Sequence, residues 1–311
     1  MPAPHRPRAP GDRAAGPLLR SLPAGAGGRP MTVVRRPRAG LARHRPWPMC
    51  RQCGGVALDM GSARTRAWVS GRGMILDVPT VTFPGAGAVY PIQRGSIVDT
   101  QGTARMLDRL LGHRLPRFAR PLVVVTAPVL DGFAYRTEAR TAVEVLRPRG
   151  VLTVPSARAV ALAAGVDLSR PLLVIDIGAH LTEVVLLVDG AVFDARRTAL
   201  GTGDIDDATP AARVAEAVVD MTASMLRQDD TSLTVDALSR GPLLAGGGAL
   251  RPDITCHLTA GLHAPLRAVP APHTAAVRGA AKFLETAHSH PPTATPEPPD
   301  EHQYRPGAPG P

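Results

Sequence analysis

Aromatic residues, lysine and cysteine are all scarce in this sequence. Aromatics make up 3% of the 311 residues, so a hydrophobic core has to be built mainly from Leu, Val and Ala. Lys282 is the single lysine, beside 35 arginines (36 basic residues minus one). Three cysteines, Cys50, Cys53 and Cys256, are too few for a disulfide framework. Cys50 and Cys53 form one C-x-x-C pair and lack the second pair of a zinc site, so we interpret them as reduced thiols.

Long hydrophobic runs are also missing. No apolar stretch approaches the ~20 residues that span a bilayer. The most apolar stretch, 171–193, is interrupted by Asp176, His180, Glu183 and Asp189. The N-terminus contains arginines but no apolar segment of a secretory signal. We therefore expect a cytoplasmic protein.

The positive charge is concentrated at one end of the chain. The formal net charge is +10, and residues 1–50 hold ten arginines and one acid, Asp12, a net of +9. The remainder is close to neutral, so the sequence does not indicate a nucleic-acid-binding face, and no nucleic acid partner is expected.

Both ends of the chain differ in composition from the middle. Residues 1–53 are rich in Arg, Pro and Gly, and the tail 287–311 is rich in proline, so both are predicted to be disordered. Met31 and Met49 are alternatives to Met1 as the start codon. The folded part should span 54–286, with a first lobe at 54–165 and a second at 166–286.

Strand and helix patterns alternate through the folded part, which predicts an α/β fold. The predicted strands are 54–60, 65–70, 74–83, 122–128, 151–155, 172–177, 182–188, 191–198, 243–245 and 266–269. The predicted helices are 102–111, 133–147, 156–165, 209–227 and 273–285, with one more after the glycines at 246–248.

One motif occurs twice at a fixed offset. Asp59, Gly61 and Thr65 recur as Asp176, Gly178 and Thr182, each 117 residues later. Each copy opens a predicted hairpin that precedes alternating helices and strands. The repeat therefore predicts two similar lobes around a cleft, where ligands of α/β sheets commonly bind.

The residues of these turns suit a nucleotide. Tight turns with small residues present backbone N–H groups to phosphates, and a carboxylate can hold Mg²⁺ through water. A glycine triplet between a strand and a helix lets the backbone approach a flat ligand. The candidate cofactor-binding residues are Asp59, Gly61, Ser62, Ala63, Arg64, Asp176, Gly178, Ala179, His180, Gly246, Gly247, Gly248 and Ala249. Asp59 and Asp176 are also the candidate Mg²⁺ residues.

These three elements resemble the two phosphate loops and the adenosine loop of the actin-like ATPase superfamily, which has a ribonuclease H-like fold. Within it, the chain most closely resembles the MreB/Mbl rod-shape proteins. Residues 73–81, 92–99, 120–125 and 201–206 add further likeness, in the family's order. The resemblance implies ATP and Mg²⁺ in the cleft, filaments at the inner face of the cytoplasmic membrane, and cell-wall synthesis or morphogenesis proteins as partners.

The chain departs from the family at two positions of the site. Ala179 and His180 stand where the second phosphate loop carries glycines, so the imidazole would donate to a phosphate, block entry or turn out to solvent. Ser156 lies at or near the family's catalytic Glu. A serine without its own activator is a poor general base at neutral pH, and losing a positioned base commonly lowers rates about 10²–10⁴-fold. We therefore predict weak hydrolysis or none.

Two small subdomains of the family are missing, after Asp206 and between Phe83 and Pro91. Both contribute to subunit contacts in the family, so the sequence leaves self-association open. Residues 115–120 resemble the family's membrane-inserting loop, with Leu115 and Phe118 as apolar tips. Core packing is an equal alternative for Phe118.

Three interpretations follow. The leading one is a reduced MreB/Mbl-like cell-shape protein that binds ATP and Mg²⁺ as a switch. The second is an active ATPase or phosphotransferase of the same superfamily, and the third is an interaction scaffold that binds no nucleotide.

Overall fold

The computed structural model describes residues 54–85, 87–115, 120–130 and 132–289. The predicted leader 1–53, with Cys50 and Cys53, lies outside the described residues, as do Phe118 and the tail from 290 onward. Within the described part, the strands are β1 (Gly55–Met60), β2 (Arg64–Val69), β3 (Gly73–Pro79), β4 (Ile92–Gln93), β5 (Ser96–Ile97), β6 (Leu122–Ala127), β7 (Gly150–Pro155), β8 (Leu172–Ile177), β9 (Thr182–Val188), β10 (Ala191–Thr198), β11 (Leu243–Ala245) and β12 (Arg267–Ala268). The α-helices are α1 (Thr100–Leu107), α2 (Gly132–Val143), α3 (Ser156–Ala164), α4 (Ala211–Gln228), α5 (Leu233–Ser239), α6 (Pro252–Leu262) and α7 (Ala275–Ser289).

Two five-stranded sheets repeat one topology. The first has the order β3-β2-β1-β6-β7, and the second has the order β10-β9-β8-β11-β12. In each, an antiparallel meander of three strands continues into parallel strands. The predicted internal repeat is therefore present in the strand order.

Helices cover both faces of each sheet. On its outer face the first sheet packs with α1 and α2 around residues such as Leu58, Val125 and Leu107. The second sheet packs with α4, α5 and α6 around Ile175, Val218 and Leu258. β6 is buried on both faces, as its Val-rich sequence predicted, because helices lie on either side.

The two lobes exchange helices along their inner faces. From the first half of the chain, α3 packs Ala157, Val160 and Ala161 against the second sheet. From the end of the chain, α7 packs Val277 and Leu284 against the first sheet. The division at 165/166 thus separates the two sheets but not their helices. The reason is that α7 has an apolar face that fits the first sheet, although it follows the second in sequence.

Three elements differ from the sequence prediction. The third strand ends at Pro79 and not at residue 83, because the chain turns there and Thr82 forms an antiparallel bridge with Val89. A short hairpin, β4–β5, follows it. The second lobe has an additional helix, α5, in a segment where none was predicted.

Candidate functional site

Two hairpin turns, one from each lobe, face each other at the carboxyl ends of the central strands. In the first, the Gly61 N–H donates to the Arg64 carbonyl at 3.0 Å, and in the second the Gly178 N–H donates to the Leu181 carbonyl at 2.8 Å. The two turns are closed by equivalent hydrogen bonds at the 117-residue offset. Asp59 and Asp176 stand one residue before the end of β1 and β8.

A cavity of about 280 Å³ lies between these turns. That volume is at the small end of ligand pockets, which commonly run from ~300 to 1,000 Å³. Ten of the predicted cofactor-binding residues line it: Asp59, Gly61, Ser62, Ala63, Arg64, Asp176, Gly178, Ala179, Gly246 and Gly247. His180, Gly248 and Ala249 do not line it.

The glycine triplet divides between the cavity and the core. Gly246 has φ +80°, and a side chain there would overlap the Ile177 carbonyl oxygen, so this position requires glycine. Gly247 faces open space, with Thr202 Oγ1 4.0 Å from the place of a Cβ. Gly248 is buried against Ile177, and Ala249 packs on the second core. The predicted contact of Gly248 and Ala249 with adenosine therefore does not fit, because both serve packing.

His180 lies beside the cavity, where its ring contacts Asp204. Its Nδ1 lies 3.3 Å from Asp204 Oδ1, and Asp204 also accepts from the Gly201 N–H at 2.9 Å. Arg94, at the tip of the β4–β5 hairpin, reaches the same carboxylate at 2.7 Å and also donates to the Ala199 carbonyl. Burial alone would raise the pKa of Asp204. The hydrogen bonds from Arg94, the Gly201 N–H and His180 outweigh burial, so the pKa is lowered. This cluster joins the two lobes beside the cavity.

Both carboxylate oxygens of Asp59 have partners within the protein. Thr126 Oγ1 donates to its Oδ1 at 2.8 Å, and Arg66 Nη1 lies 3.4 Å from its Oδ2. Thr126 stands near the end of β6, so the parallel pairing of β1 and β6 places its hydroxyl beside the carboxylate. Both oxygens of Asp59 are therefore engaged within the protein.

Asp176 meets the opposite environment. Burial, then the negative charges of Asp59 and Glu183, raise its pKa to about 7, and Arg66 opposes them. Glu183 is the cross-strand partner of Asp176 on β9. The pKa of Glu183 is raised by burial, although hydrogen bonds from the Val129 and Leu130 amides oppose the rise. Asp176 thus tends to keep a proton near neutral pH.

Ser156 lines the cavity at the first turn of α3. Its hydroxyl donates to Glu183 Oε2 at 3.3 Å, while Glu183 Oε1 accepts from the Val129 N–H at 2.9 Å. Ser156 is thus a donor to a carboxylate, not a base. Glu183 is 3% exposed and is already committed to these partners.

Sequence reasoning missed several residues of the cavity, above all Arg66 and Glu183. The signal was available, because these two are also 117 residues apart and extend the repeat by one position. Thr126, Tyr135 and His273 also line the cavity. These three carry no motif of their own and reach the site only through the tertiary fold.

Mg²⁺ fits these residues poorly. The ion is usually held by one or two carboxylates together with water and phosphates. Here both carboxylate oxygens of Asp59 already contact protein groups, Thr126 and Arg66. No group of three or more His, Cys, Asp or Glu side chains in the described ranges is arranged to hold a metal.

Of the two predicted membrane-facing residues, only Leu115 lies within the described residues. Leu115 is half-buried and packs against the first core, so it is not a free apolar tip. Phe118 lies outside the described residues. In the ranges that the structure covers, no helix has the length and apolar character to cross a bilayer.

Comparison with protein families finds the MreB/Mbl protein family, whose model matches residues 82–211. The cell shape-determining protein MreB of Escherichia coli (strain K12) is 27% identical over 171 residues, which is 44% of this chain and 49% of that protein. MreB of Salmonella typhimurium (strain LT2) matches equally. The matched region spans about half the length of these curated relatives.

Solved structures give a wider likeness at lower identity. MreB5 of Spiroplasma citri bound to ADP has a TM-score of 0.65 and 17% identity, covering 75% of this chain and 97% of that one. The MamK double helical filament has a TM-score of 0.64 and 14% identity, covering 76% and 99%. These likenesses show that the fold is the actin-like one.

Proposed function

We propose that this protein, MreB/Mbl-like in sequence and actin-like in fold, binds an adenine nucleotide in the cleft between its lobes as a cell-shape or cytoskeletal switch. The observation that carries the proposal is the pairing of two equivalent turns around one cavity, closed by the 3.0 Å and 2.8 Å hydrogen bonds of Gly61 and Gly178. Turns of this kind present N–H groups to phosphate oxygens. MreB5 of Spiroplasma citri, a structural neighbour, binds ADP and AMPPNP.

Each part of the cavity has a place in that proposal. Gly61 to Arg64 would line one side of the phosphates, and Gly178 with Ala179 the other. Gly246 and Gly247 would let the backbone approach the nucleoside, because neither carries a side chain into the cavity. The sequence predicted that Asp59 and Asp176 hold Mg²⁺ through water together with the nucleotide. Both oxygens of Asp59 already contact protein groups, which argues against that prediction.

Hydrolysis is proposed to be slow or absent. Ser156, at or near the position of the family's catalytic Glu, donates to Glu183, and a hydroxyl without an activating base is a poor general base at neutral pH. Loss of a positioned base commonly lowers a rate by about 10²–10⁴-fold. Phosphate release measured with the full chain should therefore stay near the uncatalysed level over hours.

Gly247→Val is the sharpest test of nucleotide binding. A valine there has room in the fold, since the nearest non-neighbouring atom is 4.0 Å from its Cβ, but its methyls would enter the cavity. Calorimetry with ATP and with ADP should show binding by the parent chain and at least about tenfold weaker binding by the variant. Gly87→Val is the matched control, because a Cβ at Gly87 meets nothing within 4 Å. Equal binding by Gly247→Val and the parent would contradict this placement of the nucleotide.

Self-association is the second part of the proposal. The MamK neighbour was solved as a double helical filament, and curated relatives are named cell shape-determining proteins. Peripheral contact with the membrane and partners in wall morphogenesis belong to the same proposal. If the protein polymerises, the full chain with ATP should appear in the pellet after sedimentation. If it stays in the supernatant even at high protein concentration, a monomeric switch is favoured.

A scaffold without nucleotide is the remaining alternative. The small cavity and the Arg94–Asp204 contact across the lobes favour it. It would be supported if neither ATP nor ADP gave heat at millimolar concentration. A phosphotransferase is less well supported, because the buried carboxylate nearest Ser156 is already bound by backbone amides.

A further inference from the structure

A row of alternating charges crosses the first sheet at the cavity. Asp59 on β1 pairs with Arg66 on β2, and Arg66 pairs with Asp77 on β3. Side chains of directly opposed residues lie on the same face of a sheet. The guanidinium of Arg66 is therefore fixed next to Asp59, and it lines the cavity.

Arg66 has more hydrogen-bonding capacity than its protein partners use. Its side chain is 13% exposed, and its Nη1 lies a long 3.4 Å from Asp59. Its Nε is 3.3 Å from Asp77 Oδ1 but is buried without a hydrogen-bond partner in the described residues. A guanidinium offers five N–H donors, and a buried donor left unpaired is unfavourable. The Nε itself is too deeply buried to reach a ligand, so an anion in the cavity would be bound by N–H groups of the terminal guanidinium nitrogens.

The second lobe has no matching cation. The repeat places Glu183 at the position of Arg66, so the floor of the cavity carries Arg66 on one side and a carboxylate pair, Asp176 and Glu183, on the other. A nucleotide phosphate beside Asp59 and Asp176 needs a positive charge between them. Arg66 is the fixed positive charge that already contacts Asp59.

We propose that Arg66 takes the place of a divalent cation between the carboxylates and the nucleotide phosphates, so that this cleft binds an adenine nucleotide with little dependence on Mg²⁺. The inference rests on the proposed nucleotide binding and specifies its cofactor requirement. Guanidinium groups bind phosphate oxygens through paired, charge-assisted hydrogen bonds and cannot lose their proton in proteins. Unlike Mg²⁺, Arg66 also stays bound to Asp59 when the nucleotide leaves.

The test compares ATP affinity in excess Mg²⁺ with ATP affinity in EDTA, by calorimetry on the full chain. The two dissociation constants of the parent should agree within about threefold. Replacement of Arg66 removes the built-in charge and frees Asp59 for a metal. Arg66→Met should therefore bind ATP at least about tenfold more weakly in EDTA than in Mg²⁺, the loss of about one charge-assisted hydrogen bond.

Two further variants control the experiment. Arg66→Lys keeps the positive charge, so its affinity for ATP should still be independent of Mg²⁺. If Arg66 acted only through the shape of its guanidinium, the lysine variant would lose that independence. Arg196→Met removes another ion-paired sheet arginine, one that is bound to Asp194 outside the cavity, and should leave the ratio of the two affinities unchanged. Thermal unfolding of each variant confirms that it is folded.

The outcomes are distinguishable. ATP binding by the parent that weakens tenfold or more in EDTA would overturn the inference while leaving nucleotide binding intact. A ratio near one that persists in Arg66→Met would show that Arg66 is not its cause and would also overturn it. Absence of binding in both buffers would overturn the proposed function itself.

Discussion

The two lobes share a strand order and a turn, but they surround their aspartates in opposite ways. In the first lobe, Asp59 faces Arg66 and accepts from Thr126, so its charge is balanced. In the second lobe, Asp176 faces Glu183, and burial with two nearby carboxylates raises its pKa to about 7. The repeat has kept the backbone geometry of the turn and has changed the charge of one cross-strand neighbour.

The shape of the two turns and the charge around the two aspartates depend on different residues. The turn depends on Gly61 and Gly178, where added Cβ atoms would lie 3.2 Å and 2.9 Å from carbonyl oxygens. The charge around each aspartate depends on its neighbour on the next strand, which is Arg66 in the first lobe and Glu183 in the second. The strand order of the two sheets is the same despite this difference. The first lobe thus places the guanidinium of Arg66 at the cavity, and the second places two carboxylates there.

The largest effect should come from breaking the junction that holds the two lobes together. Helices α3 and α7 touch at Gly279, where a methyl would overlap the Ala159 carbonyl oxygen. Gly279→Ala should therefore force the helices apart and lower the free energy of unfolding by about 3 kcal/mol. Urea denaturation measures it, with Gly87→Ala as the control that should stay within about 0.5 kcal/mol of the parent. Equal stability of the two variants would mean that the junction is loosely packed.

The second prediction concerns how the free energy of unfolding depends on pH through Asp176 in the second lobe. The folded pKa of Asp176 lies above its ordinary value of 3.8. Its contribution to stability is thus fully present below about pH 4 and is lost as the pH rises through about 7. The full difference would be worth about 4 kcal/mol, and access of water from the cavity lowers our expectation to about 2 kcal/mol.

Asp176→Asn cannot titrate at this position, so the free energy of unfolding should fall less between about pH 4 and pH 7 than in the parent. Urea titrations at several pH values in that window measure the slope. Burial of Glu183 raises its pKa too, so part of the slope should remain in the variant. An unchanged slope would contradict the assignment to Asp176.

The third prediction compares the stability of Asp59→Asn in the first lobe with that of Asp176→Asn in the second. Asp59→Asn leaves Arg66 without its charged partner on β1, so it should destabilise the fold by about 1–2 kcal/mol. That is less than the 3–5 kcal/mol typical of breaking a fully buried pair, because the distance is 3.4 Å and the two side chains are 20% and 13% exposed. At pH 7 Asp176→Asn should be neutral or stabilising. Thermal and urea unfolding compare them, and equal losses at the two positions would contradict the asymmetry.

The smallest effect belongs to the contact between the lobes at the mouth of the cleft. Arg94 binds Asp204 from an exposed hairpin tip, with 51% of its side chain accessible. An exposed pair contributes about 0–1 kcal/mol, so Arg94→Ala should change stability by roughly 0.5 kcal/mol. Its effect should shrink in high salt. A loss above about 2 kcal/mol would show that this contact holds the lobes more firmly than its exposure indicates.

Local patterns predicted much of this structure. Strands β8, β9, β10 and β11 begin and end at the predicted residues. Strands β8, β9 and β11 are short, mainly apolar runs, and β10 follows β9 across the turn at Asp189 and Gly190. The repeat of Asp59 and Asp176 located the cavity. Gly248 and Ala249, predicted to contact adenosine, do not line the cavity, because sequence does not show which side of a turn meets the core.

What sequence did not predict depends on contacts between distant segments. The docking of α7 on the first sheet brings Leu284 to Ala57, and no local pattern assigns a helix to a lobe that it does not follow. The sequence left the direction of the His180 ring open, and its contact with Asp204, 24 residues away, could not be read from the local pattern. The missed pair of Arg66 and Glu183 needed only the repeat to be read one residue further.

Hydrogen exchange of the full chain with and without ATP tests the central claim most directly. If the two turns and the glycine loop bind one nucleotide, ATP should slow exchange together at residues 61–64, 178–181 and 246–248, which lie on both lobes. Other surface loops, such as 229–232, should be unaffected. Slower exchange in only one lobe, or no change at saturating ATP, would contradict a nucleotide shared between the lobes.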